Sequence, residues 1–143
     1  MSSGKNNQKL LLWNEDNSEV APRIISITEI EDGAPVTYTP QQVLSGLILR
    51  DLDGASRTDT FPTAADIIDY LETTTGKIPV GWSTNLHIRN ITNDAYTLTV
   101  NNATGVDIYG ENTIAQNNGK DFLIVVLETT VSVFAKGSVD FTN

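Results

Sequence analysis

The chain of 143 residues contains no cysteine and only one histidine, His87. Without cysteine it forms neither disulfides nor thiolate metal sites. A zinc or iron site at His87 would need two or three carboxylates as further ligands, so a structural role for this residue is preferred. These absences exclude the metal centres that are built on cysteine or on several histidines. We therefore expect no metal and no cofactor.

Basic residues are also scarce, since nine Lys and Arg stand against eighteen Asp and Glu, for a formal net charge of -9. Nucleic-acid binding needs clustered cations that release counterions from phosphates, and the sequence has no such cluster. The apolar stretch near the N-terminus, Leu10 to Trp13, is too short for a signal sequence or a membrane span. We expect a soluble protein whose partners include neither nucleic acid nor membrane.

Catalytic motifs are missing as well. No Gly-x-Ser-x-Gly element is present, and the glycines form neither a phosphate loop nor a dinucleotide fingerprint. Asp51 and Asp53 precede Gly54, but an EF-hand calcium loop needs its Gly at the sixth position and a Glu at the twelfth. Solvated turn charges or pairing with nearby arginines explain these acids better. We expect no enzyme; a hydrolase that uses paired carboxylates is a formal alternative.

The sequence is rich in short alternating segments that are separated by Gly and Asn turns. Residues 86–91 and 96–100 alternate between apolar and polar, and Asn93-Asp94 between them predicts a hairpin. The continuous apolar run from Phe122 to Leu127 predicts a central strand covered on both faces. This pattern predicts a mainly β fold, an antiparallel β-sandwich of the jelly-roll type.

One short helix is predicted, over about residues 62–73. Apolar residues recur there at helical spacing: Ala64, Ile67, Ile68 and Leu71. Either Thr60 or Thr63 caps its start, and Gly76 follows its end. Residues 40–45 are compatible with one further helical turn before Gly46.

The sequence predicts an extended N-terminal arm, residues 1–22, followed by a single β-sandwich domain, residues 23–143. The arm is polar except for four adjacent residues, Leu10, Leu11, Leu12 and Trp13. Exposing them to water costs about 25 cal/mol per Å², which favours docking on the body or on a neighbouring subunit. A frayed tail with a short first strand is equally compatible with the sequence.

The segment Gly46–Ala65, GLILRDLDGASRTDTFPTAA, joins an apolar strand, a charged Gly turn and a capped helix start. It resembles an element of small structural proteins from bacteriophage and aquatic-virus virions. The similarity covers about residues 40–136 and includes Leu86–Asn90, Tyr96–Val100, Ile114–Asn118 and Lys120–Leu123. The resemblance implies a jelly-roll-like homotrimer on the virion surface, of the capsid decoration (cement), spike or fibre-head type.

On this basis we expect a minor capsid protein that is made in the host cytoplasm and stabilises the capsid by bridging subunits of the major capsid protein. The expected subunit-interface residues are Arg50, Asp51, Arg57, Asp59, His87 and Arg89. The expected capsid-contacting residues of the arm are Leu10, Leu11, Leu12 and Trp13. The alternative is a spike or tail-fibre head that binds a host receptor or glycan through loops carrying Trp82 and Tyr109.

Overall fold

A computed structural model of the chain describes residues 26–77 and 80–140. The elements in these ranges are β1 (Ser26–Glu31), α1 (Pro40–Val43), β2 (Gly46–Asp51), β3 (Arg57–Thr60), α2 (Ala64–Thr75), β4 (Ser83–Asn90), β5 (Leu98–Asn101), β6 (Val106–Tyr109), β7 (Thr113–Ile114), β8 (Asn118–Val126) and β9 (Val131–Asp140). The arm predicted over residues 1–22, including Leu10 to Trp13, lies outside the described residues.

The strands form a six-stranded sheet in the order β1-β2-β4-β8-β9-β6 and a three-stranded sheet in the order β3-β5-β7. The prediction of a mainly β fold is confirmed. The prediction of antiparallel sheets is wrong, because β1–β2, β2–β4, β3–β5 and β6–β9 are parallel pairs. Parallel neighbours need long crossover connections. Here α1 lies between β1 and β2, and β3 and α2 lie between β2 and β4.

The predicted signals mark the start and end of α2, which spans Ala64–Thr75, about two residues later at each end than predicted. Thr63 caps α2, since its hydroxyl accepts a hydrogen bond of 3.1 Å from the backbone N–H of Asp66. Gly76 ends α2 in the left-handed conformation, with φ of 83°. Thr60 lies in β3 and is not the cap. The helical turn α1 starts with a capping box between Thr39 and Gln42.

The predicted hairpin at Asn93-Asp94 is wrong, because β4 and β5 belong to different sheets. The buried side chain of Asn90 stabilises this crossing. Its amide N–H groups donate to the carbonyls of Tyr96 at 2.9 Å and Ile114 at 3.0 Å. Its oxygen accepts from the backbone N–H of Thr92 at 3.1 Å. The Asn-rich turn therefore directs the chain from one sheet to the other.

The core lies between the two sheets and includes one face of α2. The large sheet has one face in the core and one face that is partly exposed, as β8 shows. The side chains buried in the core are Phe122, Ile124 and Val126. Leu123 and Val125 are partly exposed on the opposite face. The prediction that this strand is covered on both faces therefore holds for one face only in the described chain. We call the face that points away from the core the outer face.

Candidate functional site: the outer face of the large sheet

Strand pairing places the side chains of the outer face in rows. One row runs across β1, β2, β4 and β8 through Ile27, Leu47, His87 and Asp121. Another row runs across β4, β8, β9 and β6 through Asn85, Leu123, Phe134 and Tyr109. Within the described ranges, no helix or second sheet packs over these rows, since both helices and the small sheet contribute their buried residues to the core. The outer face is therefore uncovered by the described part of the chain.

The apolar side chains of this face form two patches. The first patch, on β1 and β2, consists of Ile27, Leu47 and Leu49. The second patch, on β8, β9 and β6, consists of Leu123, Val125, Phe134 and Tyr109. Ile27 is 65% exposed, Tyr109 51% and Phe134 42%, and the other four are half-buried. The Tyr109 and Phe134 rings stack with centroids 5.4 Å apart.

A polar band separates the two patches. The Nδ1 atom of His87 on β4 lies 2.8 Å from the Oδ1 atom of Asp121 on β8. Arg89 follows on the same face of β4, next to Leu49 of the first patch. The band thus carries both signs of charge, and the structure places the predicted residues His87 and Arg89 in it. Whether they contact another subunit stays a prediction.

Arg50 and Asp59, which the sequence placed at a subunit interface, lie in the core with no exposed surface. The Nε and Nη2 atoms of Arg50 donate to the two carboxylate oxygens of Asp59 at 2.7 and 3.1 Å. Its remaining donors bind the backbone carbonyls of Asp32, Ala34 and Asp51 at 2.7 to 2.8 Å. A buried ion pair needs this complete set of partners, because unpaired charges are costly away from water. Arg50 and Asp59 therefore join the two sheets and are not available to another subunit.

Tyr38 completes this cluster, since its hydroxyl donates to Asp59 at 2.7 Å. Burial raises the pKa of Tyr38 well above its usual value, and the neighbouring Asp59 carboxylate raises it further. The phenol therefore stays protonated and acts as a hydrogen-bond donor. Its position in the core indicates a structural role, not an acid-base role.

The other two predicted interface residues, Asp51 and Arg57, stabilise the loop between β2 and β3. The Asp51 carboxylate accepts from the backbone N–H of Asp53 at 3.2 Å. The Arg57 guanidinium donates to the carbonyls of Leu52 and Asp53 at 3.4 and 3.2 Å. Both residues are half-buried, so the structure assigns them a local role and leaves their part in an interface a prediction.

The described ranges contain no group of three or more His, Asp or Glu side chains that are placed to hold a metal ion. Neither helix in them is long and apolar enough to cross a membrane. No family model matches the chain, and neither a curated protein nor a solved structure is significantly similar to it. The fold alone defines it as a mainly β protein with two mixed sheets.

The two patches were not identified from the sequence, although one signal pointed to the second patch. The run Phe122 to Leu127 is apolar at every position. In a strand with one solvent-exposed face, apolar and polar residues alternate. In the structure, only alternate residues of this run are buried. Phe134 and Tyr109 carry no comparable signal, because parallel pairing of β6 with β9 brings together residues far apart in the chain.

Proposed function

We propose that this protein is a non-enzymatic structural protein that works by self-association through the outer face of its large sheet. The observation that carries the proposal is the apolar outer face itself, with two patches that no described helix or sheet covers. Contiguous exposed apolar patches on a soluble protein mark interaction sites. Residues 122–126 of β8 are apolar on both faces, which is typical of a sheet that is covered on both sides.

The arrangement of the outer face supports a second copy of this chain as the occupant. The two patches differ in sequence and lie on either side of the polar band, about 10 Å apart by strand spacing. A cyclic oligomer of three or more copies pairs one patch with a different patch on the next copy. The band carries Arg89 and His87 beside Asp121, so a rotated copy can oppose unlike charges. In the trimer that we propose, the first patch of each copy packs on the second patch of the next, and the ring closes after three copies.

The biological setting that we propose for this trimer is the surface of a virion. There it would act as a capsid decoration protein that bridges neighbouring major capsid subunits. The support is the resemblance of the segment Gly46–Ala65 together with the mainly β, acidic character of the chain. A density map of intact particles tests the setting: a three-fold knob that fits this fold over capsid subunits supports it, and its presence only on a tail contradicts it.

Self-association is tested by adding one charge to each patch. Leu47→Asp disrupts the first patch and Phe134→Asp the second, because a carboxylate in an apolar contact is desolvated without a partner. We expect each variant to be monomeric by size-exclusion chromatography with light scattering. Val80→Asp is the matched control, since Val80 is 59% exposed in the loop between α2 and β4. It should assemble like the wild type.

Mixing the two variants tests whether unlike patches meet. The Leu47→Asp chain keeps its second patch, and the Phe134→Asp chain keeps its first patch. If unlike patches pack together, an equimolar mixture forms a heterodimer although each variant alone is monomeric. A mixture that stays monomeric, with both variants folded by circular dichroism, contradicts the pairing of the two patches.

A further inference from the structure

A cleft of about 600 Å³ opens at the edge of the large sheet, on the side opposite the outer face. It lies where the core-facing side of β1 meets α1 and the C-terminal half of α2. Its walls include Ser26 and Thr28 of β1, Gln41 of α1, Tyr70 and Thr74 of α2, and Trp82 just before β4. This volume is within the usual range for sites that bind small molecules.

None of the described side chains that line this cleft carries a charge. All of them are hydroxyl, amide, leucine or aromatic side chains, although charged residues make up 19% of the chain. A charged ligand would lose its water in such a site without gaining a counter-charge. The net charge of -9 further disfavours anions. The lining therefore selects for a neutral and polar ligand.

The cleft offers both hydrogen-bond donors and acceptors. The Thr74 hydroxyl donates to the Tyr70 carbonyl at 2.7 Å, which leaves its oxygen free to accept. The Tyr70 hydroxyl, the Gln41 amide and the Trp82 indole N–H form no hydrogen bond with another described residue, and they remain available as donors. A ligand with many hydroxyl groups, each both donor and acceptor, matches this mixture.

Two aromatic rings complete the lining. Trp82 is 36% exposed, and Tyr70 is half-buried. Such rings present an apolar face next to a polar group. The C–H face of a pyranose ring packs on an aromatic ring, while its hydroxyls reach neighbouring polar side chains. Aromatic rings beside neutral hydroxyls and amides are therefore complementary to a sugar.

We propose that this cleft binds a neutral saccharide of one or two sugar units. The proposal is independent of self-association, because β1 presents Ser26 and Thr28 to the cleft and Ile27 to the outer face. Trp82 and Tyr70 stack on the sugar ring, and Gln41 and the hydroxyls of β1 bind its polar groups. The sugar would be free or part of a surface glycan.

The test is titration of the ¹⁵N-labelled full chain with maltose, lactose and N,N′-diacetylchitobiose at millimolar concentration, followed by NMR. We expect at least one of these sugars to shift the amide signals of Gln41, Tyr70 and Trp82 in a saturable way. Trp82→Ala should weaken binding roughly tenfold, the loss expected for one aromatic contact. Tyr70→Phe, which keeps the ring, should weaken it less. Sialyllactose, which is anionic, should bind more weakly than lactose.

Leu127→Ala is the matched control, because Leu127 is 41% exposed and belongs neither to the cleft lining nor to either patch. It should leave sugar binding unchanged. Absence of cleft shifts with all three neutral sugars overturns the proposal, as does binding that Trp82→Ala leaves intact. Shifts in the cleft with a neutral peptide but not with sugars also overturn it. None of these outcomes bears on the oligomeric state, so this proposal and self-association fail separately.

Discussion

At the scale of single residues, Arg50 and Asp59 connect the two sheets through a buried ion pair whose donors and acceptors are satisfied. Arg50→Ala leaves the Asp59 carboxylate buried without its charged partner. We expect a loss of about 3 to 5 kcal/mol in the free energy of unfolding, measured by chemical denaturation. Arg57→Ala is the control, since Arg57 binds only loop carbonyls. Arg57→Ala should lose only about 1 kcal/mol of unfolding free energy. Equal losses in the two variants would contradict this account.

The same cluster predicts a pH dependence. In the folded protein, burial raises the pKa of Tyr38 well above its usual value. In the unfolded chain, tyrosine has a pKa of about 10. The stabilisation from the protonated phenol is therefore complete below about pH 10 and declines as the pH rises toward the folded pKa. The Tyr38→Phe variant has no hydroxyl to titrate at this position, so it lacks both this stabilisation and its decline with pH. The stability advantage of the wild type over Tyr38→Phe should shrink above about pH 10.

The pKa of a second buried group, Lys120, is shifted in the opposite direction. Burial lowers the pKa of Lys120, so its contribution rises with pH, in the opposite direction to that of Tyr38. Lys120 is present in both proteins and cancels in their difference. Denaturation from about pH 8 to pH 11 measures this difference. An advantage that stays constant over this range would contradict the proposed state of Tyr38.

At the scale of elements, the start of α2 packs closely on the loop before β6. A Cβ atom added at Gly105 would lie 2.8 Å from the Ala64 Cβ, and Gly105 has φ of 79°. Gly54 has φ of 98° but nothing within 4 Å, so it isolates the cost of the backbone conformation. Gly54→Ala should lose about 1 to 2 kcal/mol of unfolding free energy. Gly105→Ala should lose about 1 to 3 kcal/mol more, because the added methyl group would clash with the Ala64 side chain. Equal losses in the two variants would contradict this close packing.

Local signals in the sequence predicted the helices better than the strand pairs. Thr63 and Gly76 act within one helical turn, so they mark α2 directly. The predicted hairpin at Asn93-Asp94 is wrong because pairing depends on distant residues, here the contacts of Asn90 with the Tyr96 and Ile114 carbonyls. For the same reason, the sequence does not reveal that Asp59 is the partner of Arg50. Arg50 and Asp59 are charged residues that only the assembled sheets bury.

At the scale of the whole molecule, the chain presents two separate surfaces. The outer face carries two apolar patches around a charged band, and the opposite side of β1 opens into an uncharged cleft. The sequence predicted a mainly β protein and the positions of His87 and Trp82 outside the core. It did not predict the patches or the cleft, because both arise from parallel pairing and crossover connections. The proposed self-association and the proposed sugar binding therefore involve opposite sides of the sheet and can be tested separately.

The central claim is that copies of this chain cover each other's outer face. Sedimentation equilibrium of the wild-type chain over a micromolar concentration series tests it most directly. We predict a species of three times the chain mass that dissociates only on dilution or on substitution in either patch. A stable monomer across the whole series would contradict the account.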